Sequence, residues 1–498
     1  MITSSIKPPE GTVRDWLDYR ATATPDRVAY VFFDGEAPLT WSDLRHKARD
    51  LAHKMTALGM SRGAAVAILQ PNGRDAIINL YGVLYGGFCA TVINLVAGAE
   101  AIGYALGHCE ARVALVGEAQ KEQFDKVRTG GIDLMPDIAS PSTGALHDLH
   151  PEDDALLMYT SGTTGRPKGV MHAHSSLLAG GWTPTVAHKL TANDRGLCVL
   201  PIYHINGLCV SVLSTLISGG SLAVAEKFSV SRFWDQCAEA GATWFSVVPT
   251  IISHLLHAEA APDQATRARL RFGRSASSAL APDVQRNFEA RFDVPIVETM
   301  GLTETAAQIL SNPLPPGIRK IGSPGKAFGN EACILSQDLT PLPPETQGEI
   351  AIRGPNVMRG YLKNPEATKD TFTEDGWLRT GDLGHVDKDG YIYVTGRLKE
   401  LIIKGGENIA PREIDEALYS HPDVVEAAAF ARPCASYGER VEAAVRLRQG
   451  SMLTPDDLVR LCVEKVGKFK SPDAVHFLDE LPKGPSGKIQ RIKLPELL

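Results

Sequence analysis

Between Val28 and Val116 short apolar runs alternate with longer amphipathic stretches, and this alternation limits the fold more than any other feature. Val28–Phe33 is β-rich, Gly35-Glu36-Ala37-Pro38 makes a turn, and Leu39-Thr40-Trp41 reads as the returning strand. Trp41–Leu58 carries apolar residues at helical spacing and is closed by Gly59; Ala64–Leu69 reads as a buried strand and Asp75–Gly87 as a helix. Strands separated by helices of this length pair in parallel, which predicts an α/β fold. Further strands are expected at Gly196–Leu200, Trp244–Thr250 and Pro295–Met300. A chain of 498 residues exceeds one ordinary core and predicts at least two domains.

Composition excludes several classes. A net charge of −7 gives no electrostatic reason to expect a nucleic-acid partner. Met1–Thr12 lacks the basic start and apolar run of a leader, and no window reaches the roughly 18 apolar residues of a membrane span. The eight cysteines are scattered without metal-ligand spacing, as expected of small buried hydrophobes in a reducing compartment. These features predict a cytoplasmic protein without nucleic-acid or membrane partners, monomeric or homodimeric.

Tyr159-Thr160-Ser161-Gly162-Thr163-Thr164-Gly165-Arg166-Pro167-Lys168-Gly169 is the most unusual stretch. Glycines let backbone N–H groups approach a ligand, hydroxyls add donors, and Lys168 supplies a point charge, so such a loop can cradle a polyphosphate. It is not a P-loop, because Lys168 is followed by Gly169-Val170 where that motif needs Ser or Thr opening a helix. By composition alone it fits a flexible surface loop equally well.

Other stretches also admit two readings. Pro201-Ile202-Tyr203-His204-Ile205-Asn206-Gly207 follows a strand end, where α/β ligands gather, but a lone His204 also suits a core. Glu298-Thr299-Met300-Gly301-Leu302-Thr303-Glu304-Thr305 carries a carboxylate between hydroxyls that is either solvated or a ligand. Asp382, in Thr380-Gly381-Asp382, is a turn residue or a hydrogen-bond acceptor. Lys488, in the tail Leu481–Arg491, is by itself a solvated charge.

Taken together and in this order, these stretches resemble the AMP-forming acyl-CoA synthetases of the acyl-adenylate-forming enzymes along essentially the whole chain. Arg271-Phe272-Gly273-Arg274-Ser275-Ala276-Ser277-Ser278-Ala279-Leu280 and Ser311-Asn312-Pro313-Leu314-Pro315 resemble the branch containing oxalyl-CoA and malonyl-CoA synthetases. The resemblance implies a large N-terminal domain (1–397) of mixed and parallel sheets sandwiched by helices, with a β-barrel-like part. A small mobile α+β domain (398–498) would follow, hinged near Lys399. ATP, Mg²⁺ and CoA are the implied cofactors.

Thr160, Ser161, Gly162, Thr163, Thr164, Gly165 and Lys168 would hold phosphates, and Glu304 would hold Mg²⁺, a cation that prefers carboxylate and phosphate oxygens. Ser277, Ser278, Ala279, Glu298, Thr299, Met300, Gly301 and Thr303 would contact the nucleotide, with Asp382 and Arg397 on ribose. His204, Val248, Met300 and Gly301 would form the acyl pocket, and Gly405 and Gly406 the CoA tunnel. Thr160, Glu304 and Lys488 would be catalytic, with Lys488 bridging the acid and the α-phosphate.

Two departures stand out. The family has Tyr at Met300, and malonyl-CoA synthetases carry Arg at His254, which argues against malonate and leaves oxalate, other small acids or an aromatic acid. The chain ends soon after Lys488, which favours a free-standing CoA ligase. A ligase loading a separate carrier protein and a non-catalytic nucleotide-binding relative are the alternatives.

Overall fold

Local chemistry sets where the first helices begin. The Thr40 hydroxyl accepts the Asp43 N–H at 3.1 Å while Asp43 reaches back to the Thr40 N–H at 3.1 Å. This capping box ends the returning strand at Thr40 and starts the helix at Trp41, one residue earlier than the β-rich run suggests. The same device opens the helices at Val13 and Pro455. Pro249, expected near the end of the strand Trp244–Thr250, opens the helix Pro249–His257 instead, because its fixed φ and missing N–H suit a first helical position.

The computed structural model describes residues 7–128, 130–136, 145–160, 166–484 and 487–498. Among them lie two large sheets. The first has a parallel centre of Ile296–Leu302, Phe272–Ser275, Trp244–Val247, Arg195–Cys198, Ser221–Val224 and Val28–Phe32, with antiparallel strands at both edges. The second runs from Gly360–Tyr361 through Lys168–Ala173, Asp154–Thr160, Cys89–Val92 and Ala65–Leu69 to Val113–Val116 and Asp133–Leu134. The α/β expectation holds.

One apolar core joins both sheets, running from Tyr30 and Phe272 to Val66 and Leu156 through Leu177, Leu208 and Leu216. The helix His174–Ala187 crosses this core with polar and apolar residues buried all round. It has no solvent face, so it has no sidedness that periodicity could reveal.

A four-stranded antiparallel sheet (Glu331–Leu335, Gly348–Arg353, Leu378–Val386, Ile392–Arg397) stands in place of the β-barrel-like part. After the short turn Leu398–Glu400 a last sheet gathers Ile402–Lys404, Glu407–Ile409, Val424–Cys434, Gly438–Leu447 and Ala474–Phe477. This smaller unit has its own core around Ile414, Leu418, Val441 and Leu458.

Candidate active site

The parallel strands of the first sheet end together, and their following loops line a cavity of about 140 Å³. Ser277, Ser278 and Ala279 come from the loop after Phe272–Ser275, and Glu298, Thr299, Met300 and Gly301 from the next strand. Ser277 sits at φ +75°, a conformation that a residue with a side chain adopts only when its surroundings impose it. Gly301 is required by space: a Cβ there would lie 1.9 Å from the Ala307 carbonyl oxygen on the paired strand.

Opposite stand Asp382 and Arg397, cross-strand neighbours whose Arg Nε to Asp Oδ1 distance is 2.6 Å. Asp382 is presented by Glu349, whose Oε1 accepts the Gly381 N–H at 3.0 Å while its Oε2 accepts from Arg379 at 2.9 Å. Lys488 completes the wall from the far end of the chain. Its loop is pinned by Thr250, which donates to the Gly487 carbonyl at 3.1 Å, and by Val248, 3.0 Å from the Cβ position of Gly487. Val248, expected in an acyl pocket, therefore supports the lysine loop.

Three lining residues carry no sequence signal of their own. Glu400 lies 3.5 Å from both Lys488 Nζ and Arg491 Nε. Arg491 donates to Asp415 Oδ1 at 3.1 Å and to its Oδ2. Arg412 bonds the carbonyls of Val394 and Gly322, tying the two units together beside the cavity. Each is an ordinary surface residue in one dimension; only the fold turns it inward.

The charges act on one another. Burial, and then the nearby Arg397 cation, pull the Lys488 ammonium below its ordinary value, against the pull of Glu400 and Asp382. Burial works to raise the Glu400 carboxyl, yet Lys488, Arg491 and Arg397 outweigh it and hold it low. Asp382 holds Arg397 charged above its ordinary value. Burial alone dominates at Glu298, pushing it up to about 7, and its Oε2 has no partner among the described residues.

The other expected residues that the structure describes are not part of this cavity's lining. Glu304 Oε1 accepts the Tyr361 hydroxyl at 2.8 Å, and Lys168 Nζ stands 4.6 Å from the centre of the same ring. Tyr361, which sequence reasoning passed over, thus joins two of the expected phosphate and metal residues. Thr303 gives its carbonyl to His172 at 2.7 Å. Thr160 pairs with Lys168 across two strands, while Ser161, Gly162, Thr163, Thr164 and Gly165 lie outside the described residues.

The His204 ring lies 5.0 Å from that of Tyr203, tilted by 59°, just before the buried helical segment Asn206–Leu213. Lys399 is exposed in the turn between the units. Gly405 and Gly406 form an exposed tight turn at φ +60° and +86°, away from the cavity lining. His254 does not line the cavity either: its Nε2 lies 2.6 Å from Glu426 Oε1 in the smaller unit, so its identity bears on how the units dock. Among the described residues no three metal-ligating side chains converge.

The AMP-binding enzyme family matches residues 17–362, and its C-terminal domain family matches 413–488. A sulfoacetate–CoA ligase of Cupriavidus necator is 44% identical over 97% of each chain. An oxalate–CoA ligase of Arabidopsis thaliana is 36% identical over 96% of this chain and 97% of its own. Among solved structures, ATP-bound MatB from Rhodopseudomonas palustris superposes with a TM-score of 0.89 at 29% identity, over 98% of this chain and 99% of MatB. These matches and the cavity agree: the chain belongs to the AMP-binding enzyme family, among the AMP-forming acyl-CoA synthetases.

Proposed function

We propose that this protein adenylates a small carboxylic acid with Mg-ATP, releasing pyrophosphate, and then transfers the acyl group to CoA. The observation that carries the reading is the meeting of Lys488 and Arg397 with Asp382 and the Ser277–Ala279 loop around one cavity. Both reactants are anions, so positioning and charge neutralisation are the catalytic tasks. Lys488 neutralises charge where the acid's carboxylate meets the α-phosphate, and Glu400, itself paired with Arg491, holds its ammonium in place. Asp382 accepts the ribose hydroxyls, a geometry that Glu349 stiffens from behind.

The phosphate side falls to Thr160, Ser161, Gly162, Thr163, Thr164, Gly165 and Lys168. Glu304 fits Mg²⁺, because that cation takes one or two carboxylates and leaves its other positions to phosphate and water, which suits a lone Glu better than a closed cage. When bound, it neutralises phosphate charge. Residues 1–397 form the ATP- and acid-binding domain, and 398–498 swing about Lys399 to bring Gly405 and Gly406 to the cavity for the thiol step.

Two of the relatives are named for sulfoacetate and oxalate, both two-carbon acids with a second anionic group. The substrate class is therefore a short acid of this kind. The test is acid-dependent pyrophosphate release by the purified protein with Mg-ATP and CoA. The panel runs from sulfoacetate, oxalate and malonate to fatty acids and benzoates, with the thioester identified by mass. Release without thioester would favour a carrier-protein acceptor, and no release with any acid would refute the reading.

A further inference from the structure

Arg274 is buried at 1% exposure in the strand Phe272–Ser275, yet no carboxylate faces it among the described residues. Its Nε donates to Gln308 Oε1 at 3.1 Å, and its Nη1 to Asn206 Oδ1 at 2.7 Å and Ser246 Oγ at 3.1 Å. Burial pulls the guanidinium down to about 9, so it is a cation at neutral pH. A buried charge is normally paired, because solvation lost on burial must be replaced by an opposite charge. Here every partner is neutral: His188, which shares Gln308 Oε1 at 3.0 Å, is held uncharged, its value pushed down to about 3 by burial and then by Arg274 itself.

The unpaired cation is wired to the cavity. Asn206, whose oxygen accepts the hydrogen bond from Arg274, donates from its amide nitrogen to Ser277 Oγ at 3.4 Å, and Ser277 is the strained residue of the cavity wall. A chain of hydrogen bonds thus runs from a buried positive charge to the cavity wall, and no carboxylate takes part in it. Gln308 Nε2 and Ser275 Oγ nearby are also buried without partners. Such a cluster suits an incoming anion, which would satisfy donors that the protein leaves open.

We infer that Arg274, acting with Asn206 and Ser277, is the specificity-determining residue for a second anionic group, carboxylate or sulfonate, on the acid substrate. This rests on the reading that the cavity beside Ser277 takes the acid. An acid with an apolar tail would leave the arginine buried and uncompensated, so the site selects against it as well as for its charged counterpart.

The test pairs acids of similar shape: sulfoacetate against 3,3-dimethylbutyrate, and oxalate against propionate. Acid-dependent pyrophosphate release by the wild-type protein should favour the dianion of each pair by ~100-fold or more in kcat/KM. Arg274→Gln should bring that preference below ~10-fold by raising the KM of the dianion, with the KM of ATP unchanged, and Arg274→Lys should restore part of it. Asn206→Leu, which cuts the relay and keeps the cation, gives an independent variant should Arg274→Gln fail to fold.

Wild-type turnover of both members of a pair alike, or an Arg274→Gln enzyme that keeps the preference, would overturn the inference. If no acid is adenylated the proposed function fails, and calorimetric titration of sulfoacetate and oxalate into the protein then decides the anion site. Binding by wild type that Arg274→Gln abolishes supports the site, and no binding by wild type refutes it.

Discussion

Replacing His254 by Ala separates docking of the two units from the stability of either. Glu426 has a fully buried side chain and three partners: His254 at 2.6 Å, Lys483 at 2.9 Å and Arg446 at 3.7 Å. Lys483 and Arg446 belong to the same unit as Glu426, and only His254 comes from the other. The variant therefore leaves Glu426 compensated and removes one of several contacts between the units, Thr250, Ser253 and Arg412 making others. A charge-assisted hydrogen bond of this kind contributes about 1–2 kcal/mol once the 23% exposure of the His254 side chain is allowed for.

That energy corresponds to a roughly 5- to 30-fold fall in the docked-to-undocked ratio. Docking in this pose holds Lys488 at the cavity, so adenylation should slow by up to that factor. Thioester formation from supplied acyl-AMP should be unchanged or faster. The assay measures pyrophosphate release and thioester formation separately, with Tm as a control. Equal losses in both half-reactions, or a lower Tm with unchanged rates, would refute the reasoning.

Lys488→Ala should abolish adenylation yet spare thioester formation from supplied acyl-AMP; equal loss of both would remove Lys488 from the first step. Lys399→Pro, which stiffens the exposed turn, should impair the thioester step far more than adenylation, and unchanged turnover would reject the hinge. Glu298→Gln tests burial. A carboxyl raised from 4.5 to about 7 keeps its proton in the folded state, so folding stability falls as pH rises from about 4.5 to 7. The variant should flatten that dependence in denaturant unfolding, on the order of 3 kcal/mol across the window, and an unchanged pH profile would count against the burial argument.

The sequence and the structure agree where chemistry is contiguous. Gly381-Asp382 and Gly487-Lys488 could be picked out because each packs its turn residue and its charge into adjacent positions. The parallel strands were visible because each is a short apolar run between turn residues. Residues recruited by packing were not visible: Tyr361 joins Glu304 to Lys168 across a distant strand pair, and Glu400 gains meaning only beside Lys488 and Arg491. Arg274 lies three residues before Ser277, one of the expected nucleotide contacts, but nothing in one dimension distinguishes a buried cation from a solvated one. His254 erred the other way, since a position read as a clue to the acid faces the second unit instead.

The turn Leu398–Glu400 divides the cavity wall between two lengths of chain. Ser277, Met300, Asp382 and Arg397 precede it, whereas Arg412, Lys488 and Arg491 follow it. On the roles proposed for these residues, what grips the reactants and what drives the reaction are separately exchangeable parts. A hybrid that takes everything after the turn from another member of the family should inherit that donor's rates while keeping this protein's own choice of acid.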